Sequence, residues 1–228
     1  MIVVVGGIKG GSGKTTIATN LTIIRAKEGS DVLLIDADDQ ETATEFSILR
    51  NELTNDKAGY TCIKLTGKGL RTEVGRQVEK YDDIIIDTGG RDTASQRSAL
   101  SIADIILVPF VPRSFDIWTL EKVASIAEEI RQINPGLKAF AFLNRADSRG
   151  SDNEDAIDML KEKKAIQFLD GTICNRKAFG NAAAMGMSVI ELKSQDPKAT
   201  EEIMTLYNSI FLSDIDFVMN LTSNEKRV

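Results

Sequence analysis

Histidine is absent from the 228 residues, which removes the commonest general base at neutral pH, the usual zinc ligand and every Ser-His or Cys-His nucleophile pair. Any catalysis must therefore run on carboxylates, lysines and metal. Cysteine is scarce: Cys62 and Cys174 stand far apart, with no CxxC pair, no zinc spacing and no disulfide framework of the secreted kind, so a reducing cytoplasm fits best. An excess of positive charge is also missing. Lys and Arg total 28 against 34 Asp and Glu, a net charge of -6, so nucleic-acid binding would need a local basic patch working against the global field. No basic segment precedes Ile2-Val3-Val4-Val5, and this apolar run is too short for a signal or membrane helix. Internal repeats, low-complexity tracts and Gly-, Ser- or Pro-rich linkers are lacking as well. The expected organisation is one domain over residues 1–212 with a C-terminal tail over 213–228.

What is present is an ordinary globular balance, 42% hydrophobic against 27% charged, with short β-branched runs alternating with helical patterns. That alternation predicts an α/β fold, a mostly parallel twisted sheet with helices on both faces. The strands are expected at Ile2 to Ile8, Val32 to Asp36, Thr61 to Leu65, Ile84 to Asp87, Ile105 to Val108, Leu137 to Leu143 and Ile166 to Phe168. A first helix is expected from Lys14 to Glu28, stopped by Gly29, and another from Trp118 to Ile133, stopped by Asn134-Pro135-Gly136. Asp152, Glu154, Asp155 and Asp158, followed by Lys161, Lys163 and Lys164, mark a charge-dense helix with a solvated face. Ile203, Leu206, Tyr207 and Ile210 mark a closing amphipathic helix across Thr200 to Leu212.

The most informative stretch is Lys9-Gly10-Gly11-Ser12-Gly13-Lys14-Thr15-Thr16. It follows a strand and opens a helix, the context in which glycines let backbone N–H groups converge on phosphate. Lys14 is placed to reach the β- and γ-phosphates of ATP, and the Thr15 hydroxyl to meet Mg²⁺, while Ser12 is a small spacer. A strict GxxxxGK[ST] pattern fails, because Ile8 stands where its first glycine belongs; the substitute feature is Lys9. This KGGxGKT[ST] run resembles the deviant Walker A box of the ParA/MinD family of P-loop ATPases, and the resemblance spans nearly the whole chain. It implies a homodimer that sandwiches ATP, in which Lys9 of each copy contacts the phosphates held by the other.

Further acids complete the resemblance. Asp36-Ala37-Asp38-Asp39-Gln40 is similar to the family's DxDPQ switch, which implies that Asp36 supports magnesium and Asp38 orients the attacking water; Asp39 departs from the family by replacing its proline. Read from the residues alone, Asp38, Asp39 and Glu41 also suit a solvated acidic turn. Ile84-Ile85-Ile86-Asp87 has the Walker B pattern, whose acid either holds magnesium or caps the next helix. Thr88-Gly89-Gly90 reads as a flexible switch, because glycine permits movement. Asn144-Arg145 follows a strand at the carboxyl edge where nucleotides sit; Asn144 resembles the family's adenine-reading asparagine, although Asn is equally a turn former. Cys174 to Arg176 are expected to flank the base.

Within the family the chain most resembles small ParA partition ATPases: it has no helix-turn-helix extension ahead of the P-loop and runs Ala103 to Arg113 after the switch in their manner. That resemblance implies nonspecific DNA binding as an ATP dimer and release by a cargo- or centromere-binding partner, with nucleoid association in the cytoplasm. Arg145, Arg149, Arg176, Lys177 and Lys193 are the basic candidates, although scattered surface charge accounts for them equally well. A MinD-like membrane regulator would need a basic amphipathic tail, and Ser213 to Met219 sets acids among its apolar residues instead, so no membrane partner is expected. An electron-transfer ATPase of the nitrogenase iron-protein type would need a cysteine after Asp87. A metabolic ATP-dependent enzyme on the same fold would need a substrate pocket.

Overall fold

The computed structural model describes residues 1–112, 117–147, 152–162, 165–169, 171–194 and 196–212. The strands are β1 (Ile2–Val5), β2 (Val32–Ala37), β3 (Thr61–Lys64), β4 (Asp83–Thr88), β5 (Ile105–Phe110), β6 (Lys138–Ala146), β7 (Gln167–Phe168) and β8 (Ile173–Cys174), with β-branched runs in β1, β4 and β5 and alternating Ala and Phe in β6. They pair in parallel in the order β3-β2-β4-β1-β5-β6-β7, with β8 added to the end of β6. β1, β2, β4 and β5 are buried throughout, as expected of parallel strands covered on both faces.

Between them run α1 (Lys14–Lys27), α2 (Thr42–Leu53), α3 (Leu70–Gln77), α4 (Ala94–Leu100), α5 (Ile117–Arg131), α6 (Asp152–Lys161), α7 (Lys177–Ala183) and α8 (Pro197–Phe211). Alternate side chains of each strand feed two cores. Val4, Ile35, Ile84 and Ile86 face α3, α4 and α5 through Leu70, Leu100 and Val123. Val3, Val5, Leu34 and Ile85 face α1 and α8 through Ile17, Leu21, Ile203 and Leu206. None of the described helices is long and apolar enough to cross a membrane.

The differences from the expected boundaries have local causes. β1 stops at Val5 rather than Ile8, because Gly7 turns away at φ 143°. α8 begins at Pro197, three residues before Thr200, because the Asp196 side chain accepts from the Lys198 and Ala199 N–H groups and Pro197 takes the first turn. α1 closes at Gly29, φ 95°, as expected. The side chain of Trp118, Lys163, Lys164 and the tail after Leu212 lie outside the described residues.

Candidate functional site

The loop from Lys9 to Gly13 leaves β1 beside the middle of the sheet and delivers the chain into α1. Gly13 is the N-cap of α1 with φ 90°, and no side chain caps the helix start. A Cβ there would lie 2.4 Å from Asn144 Nδ2, so both backbone and space demand glycine. The first-turn N–H groups and the positive end of α1 are left facing the cleft. Lys14 is buried and its Nζ donates to the Lys9 carbonyl at 2.8 Å. Burial pulls its ammonium below the usual lysine range, against the opposing charges of Asp87 and Asp38. Ser12 is buried and contributes only a 3.5 Å contact to the Lys9 carbonyl, the spacer expected of it.

Three aspartates approach the cradle differently. Asp36, at the end of β2, is fully buried and accepts from Asp38 N at 3.1 Å, Thr44 N at 2.8 Å and Thr44 Oγ1 at 2.9 Å. Its oxygens shape the turn from Asp38 to α2. Asp38 accepts from Gln40 N at 3.2 Å and borders the cavity; Asp39 and Gln40 are exposed. Asp87 ends the run of isoleucines in β4, is buried, and neither of its carboxylate oxygens has a hydrogen-bond partner among the described residues. It caps no helix; Thr93 caps α4.

Burial pushes the Asp87 carboxyl up to about 7. The Thr15 hydroxyl, close by but outside hydrogen-bonding geometry, works against that rise; Asp36 adds to it, Lys14 opposes it and Asp38 adds a smaller push. An unsatisfied buried carboxylate beside a threonine hydroxyl fits a hard divalent cation. Among the described residues no group of three or more His, Cys, Asp or Glu could hold a metal by itself.

Gly89 and Gly90 allow close approach, a role that was not read from the sequence. A Cβ at Gly89 would lie 2.9 Å from Asp38 Oδ1, and one at Gly90 would lie 2.6 Å from Gly10 N and 2.7 Å from Gly10 Cα. The switch thus rests on the P-loop backbone itself. Sequence reading missed this contact and missed Thr44, whose link to Asp36 depends on how α2 folds back on β2.

The cleft has two compartments. One, of about 770 Å³, is lined by Gly10, Gly11, Gly13, Lys14, Thr15, Thr16, Asp38, Gly90 and Arg145 among others. The second, of about 410 Å³, shares Gly13, Thr16 and Arg145 with it and continues along Asn144, Cys174, Arg176 and Lys177. Asn144 and Arg145 lie inside β6, not after it, at a register shift between Asn144 and Ala146. Arg145 takes φ 54° there. This bulge buries Asn144, whose Nδ2 donates to the Ser12 carbonyl at 2.6 Å, and turns Arg145 outward. Lys9 does not line the large compartment. It borders a separate space of about 20 Å³ with Ile8, Ser12 and Val108 to Val111.

The basic candidates separate. Arg176 is clamped by Glu202 at 2.9 and 2.6 Å, so its charge is already matched and the expected DNA contact from it is not favoured. Lys177 and Lys193 are exposed, and Arg149 lies outside the described residues.

A family model described as the CobQ/CobB/MinD/ParA nucleotide binding domain matches residues 3–189. The maintenance of carboxysome distribution protein A of Halothiobacillus neapolitanus is 26% identical over 210 residues, covering 92% of this chain and 95% of that protein. An ATP complex of McdA from Cyanothece superposes with a TM-score of 0.75 at 20% identity, over 91% of this chain and 95% of that one. Cobyrinic acid a,c-diamide synthase from Mycobacterium smegmatis, with bound ADP and magnesium, reaches 0.68 at 19% identity, over 81% and 92%. At these identities the two structures establish the fold alone.

Proposed function

The chain belongs to the CobQ/CobB/MinD/ParA nucleotide-binding family, and from that premise we propose that it is an ATP-driven positioning protein. In this reading it dimerises around ATP, binds DNA without sequence preference, and is stimulated to hydrolyse by a cargo- or centromere-binding partner, so distributing a plasmid, a chromosome or another cargo. The similarity to a protein named for carboxysome distribution supports the class of task.

The observation that carries the proposal is the different placement of two lysines, one at the start of the P-loop and one just past its end. Lys14 is buried at the wall of the large compartment, whereas Lys9 borders the other side of the loop. A lysine placed there serves its own phosphates poorly, and in this reading it meets those of a second copy facing it. Charge spreads over the phosphoryl oxygens during transfer, and a cation arriving there lowers the barrier. Hydrolysis would then require assembly.

Within each copy the first-turn N–H groups of α1 and Lys14 would hold the β- and γ-phosphates. Thr15 and Asp87, with Asp36 behind them, would hold a magnesium ion, which when bound neutralises phosphate charge. Asp38 would orient a water toward the γ-phosphorus; the new P–O bond forms as the bond to the β-phosphate oxygen breaks, giving ADP and phosphate. Asn144 and the stretch from Cys174 to Arg176 would take the adenine. Arg145 would sit where phosphate and base compartments meet. Nonspecific DNA binding would have to use exposed cations such as Arg145 and Lys177, so it should be strongly salt-dependent.

One comparison of the wild type with Lys9→Ala and Lys14→Ala tests this, with nucleotide affinity, turnover and ATP-dependent retention on arbitrary duplex as readouts. Lys9→Ala should hold ATP within about threefold of wild type yet lose turnover by at least about a hundredfold. Lys14→Ala should lose nucleotide affinity itself. Equal loss of affinity in both would defeat the trans role of Lys9, and no retention of wild type on duplex at low salt would remove the DNA step.

A further inference from the structure

One buried amide beneath the cradle has no place in the account so far. Gln96 sits in the first turn of α4 and is completely buried, at 0% exposure. Its backbone N–H donates to Thr93 Oγ1 at 3.1 Å, which fixes the start of the helix. Its side-chain Oε1 accepts from the Thr88 hydroxyl at 3.2 Å and meets the Gly7 N–H in a long contact of 3.5 Å. Because a backbone N–H can only donate, Gly7 determines which end of the amide is oxygen.

The nitrogen end is left over. Gln96 Nε2 is buried and has no hydrogen-bond partner among the described residues. A buried donor left unmade is costly, whereas an apolar side chain of similar volume would fill the space without that cost. Packing therefore does not explain glutamine at this position.

Its connections suggest what does. Gly7 is the root of the P-loop, and Thr88 directly follows Asp87, another buried group whose side-chain oxygens have no hydrogen-bond partner among the described residues. The Thr88 hydroxyl also lies 3.3 Å from the Val5 carbonyl, and the amide oxygen ties this junction of the β1 and β4 exits to the switch helix α4. We infer that Gln96 is a positioning residue that links the switch helix to the phosphate cradle. The inference rests on the ATPase reading above. Through its contacts with Gly7 and Thr88 the amide couples the root of the P-loop to the residue that follows Asp87, and so to the placement of that carboxylate. Gln96 touches no reacting atom. It acts through Gly7 and Thr88.

The test is a double-mutant cycle on the full chain with Gln96→Met and Thr88→Val, reading melting temperature without nucleotide, ATP affinity in magnesium, and kcat. Gln96→Met should melt no lower than wild type and bind ATP within about threefold of it, while kcat falls about tenfold or more. The double variant should turn over no more slowly than the slower single variant, because both break one link. Unchanged kcat in Gln96→Met, a parallel fall of affinity, melting temperature and kcat, or fully multiplicative losses in the double variant would each overturn the inference. Wild-type protein that hydrolyses no ATP would instead sink the ATPase reading and this link with it. Wild-type turnover that survives Gln96→Met sinks the link alone.

Discussion

A carboxylate enclosed in protein with nothing to bond to is costly, and Asp87 is such a group. Its carboxyl titrates near 7 because burial disfavours the charged form. Relative to the unfolded chain, the folded state therefore binds its proton more tightly. The sign follows: nucleotide-free protein loses stability as pH rises from the ordinary carboxylate range to about 7, and the loss is complete above that. Asp87→Asn should accordingly raise nucleotide-free stability at neutral pH by roughly 1–3 kcal/mol and flatten that slope. The same variant should lose the extra stabilisation that magnesium and ATP give wild type. Thermal melts across pH, with and without magnesium nucleotide, check both parts; destabilisation of the nucleotide-free form would contradict the account.

Residues that announce themselves by spacing were legible from the chain: the P-loop glycines, Lys14, and Asp87 at the end of its isoleucine run. Thr44 and Gln96 were not. Each matters through a partner that the fold supplies, Asp36 for one and Gly7 and Thr88 for the other, and no local pattern marks a side chain for such a contact.

Between elements, the closest meeting is that of the switch after β4 with the P-loop after β1. Gly90 seats on the Gly10 backbone and Gly89 on the Asp38 carboxylate, so the two substitutions should differ although both introduce one methyl group. Gly90→Ala drives a Cβ into main chain, which cannot yield without moving the loop; about 1–3 kcal/mol of stability should be lost, and amide exchange around Gly10 should accelerate. Gly89→Ala meets the end of a side chain that can turn aside, and should cost less. Melting temperatures and hydrogen exchange of the two variants decide it, and equal effects would contradict the close-packed switch.

Glycine at these positions was visible in the sequence, but its purpose was not, since freedom of backbone and lack of a side chain read alike. Long elements bounded by strong punctuation, such as α1 between Gly13 and Gly29, were legible almost to the residue. β8, two residues long and paired only across the bulge in β6, has no periodicity to detect. That same bulge put Asn144 and Arg145 inside a strand rather than beyond its end.

At the scale of the whole molecule, the parallel order β3-β2-β4-β1-β5-β6-β7 brings the carboxyl ends of β1, β2, β4 and β6 around one cleft, where open α/β sheets bind their ligands. One copy supplies the cradle, Lys14, and the acids. Lys9 does not line the large cavity beside them. The account therefore predicts a molecule that is incomplete alone, and sedimentation equilibrium tests that most directly. With saturating magnesium and a non-hydrolysable ATP analogue, the mass should double from the 24.9 kDa of a single chain, and with ADP it should not. A single-chain mass under conditions where analogue binding is independently shown to be complete would contradict the shared site.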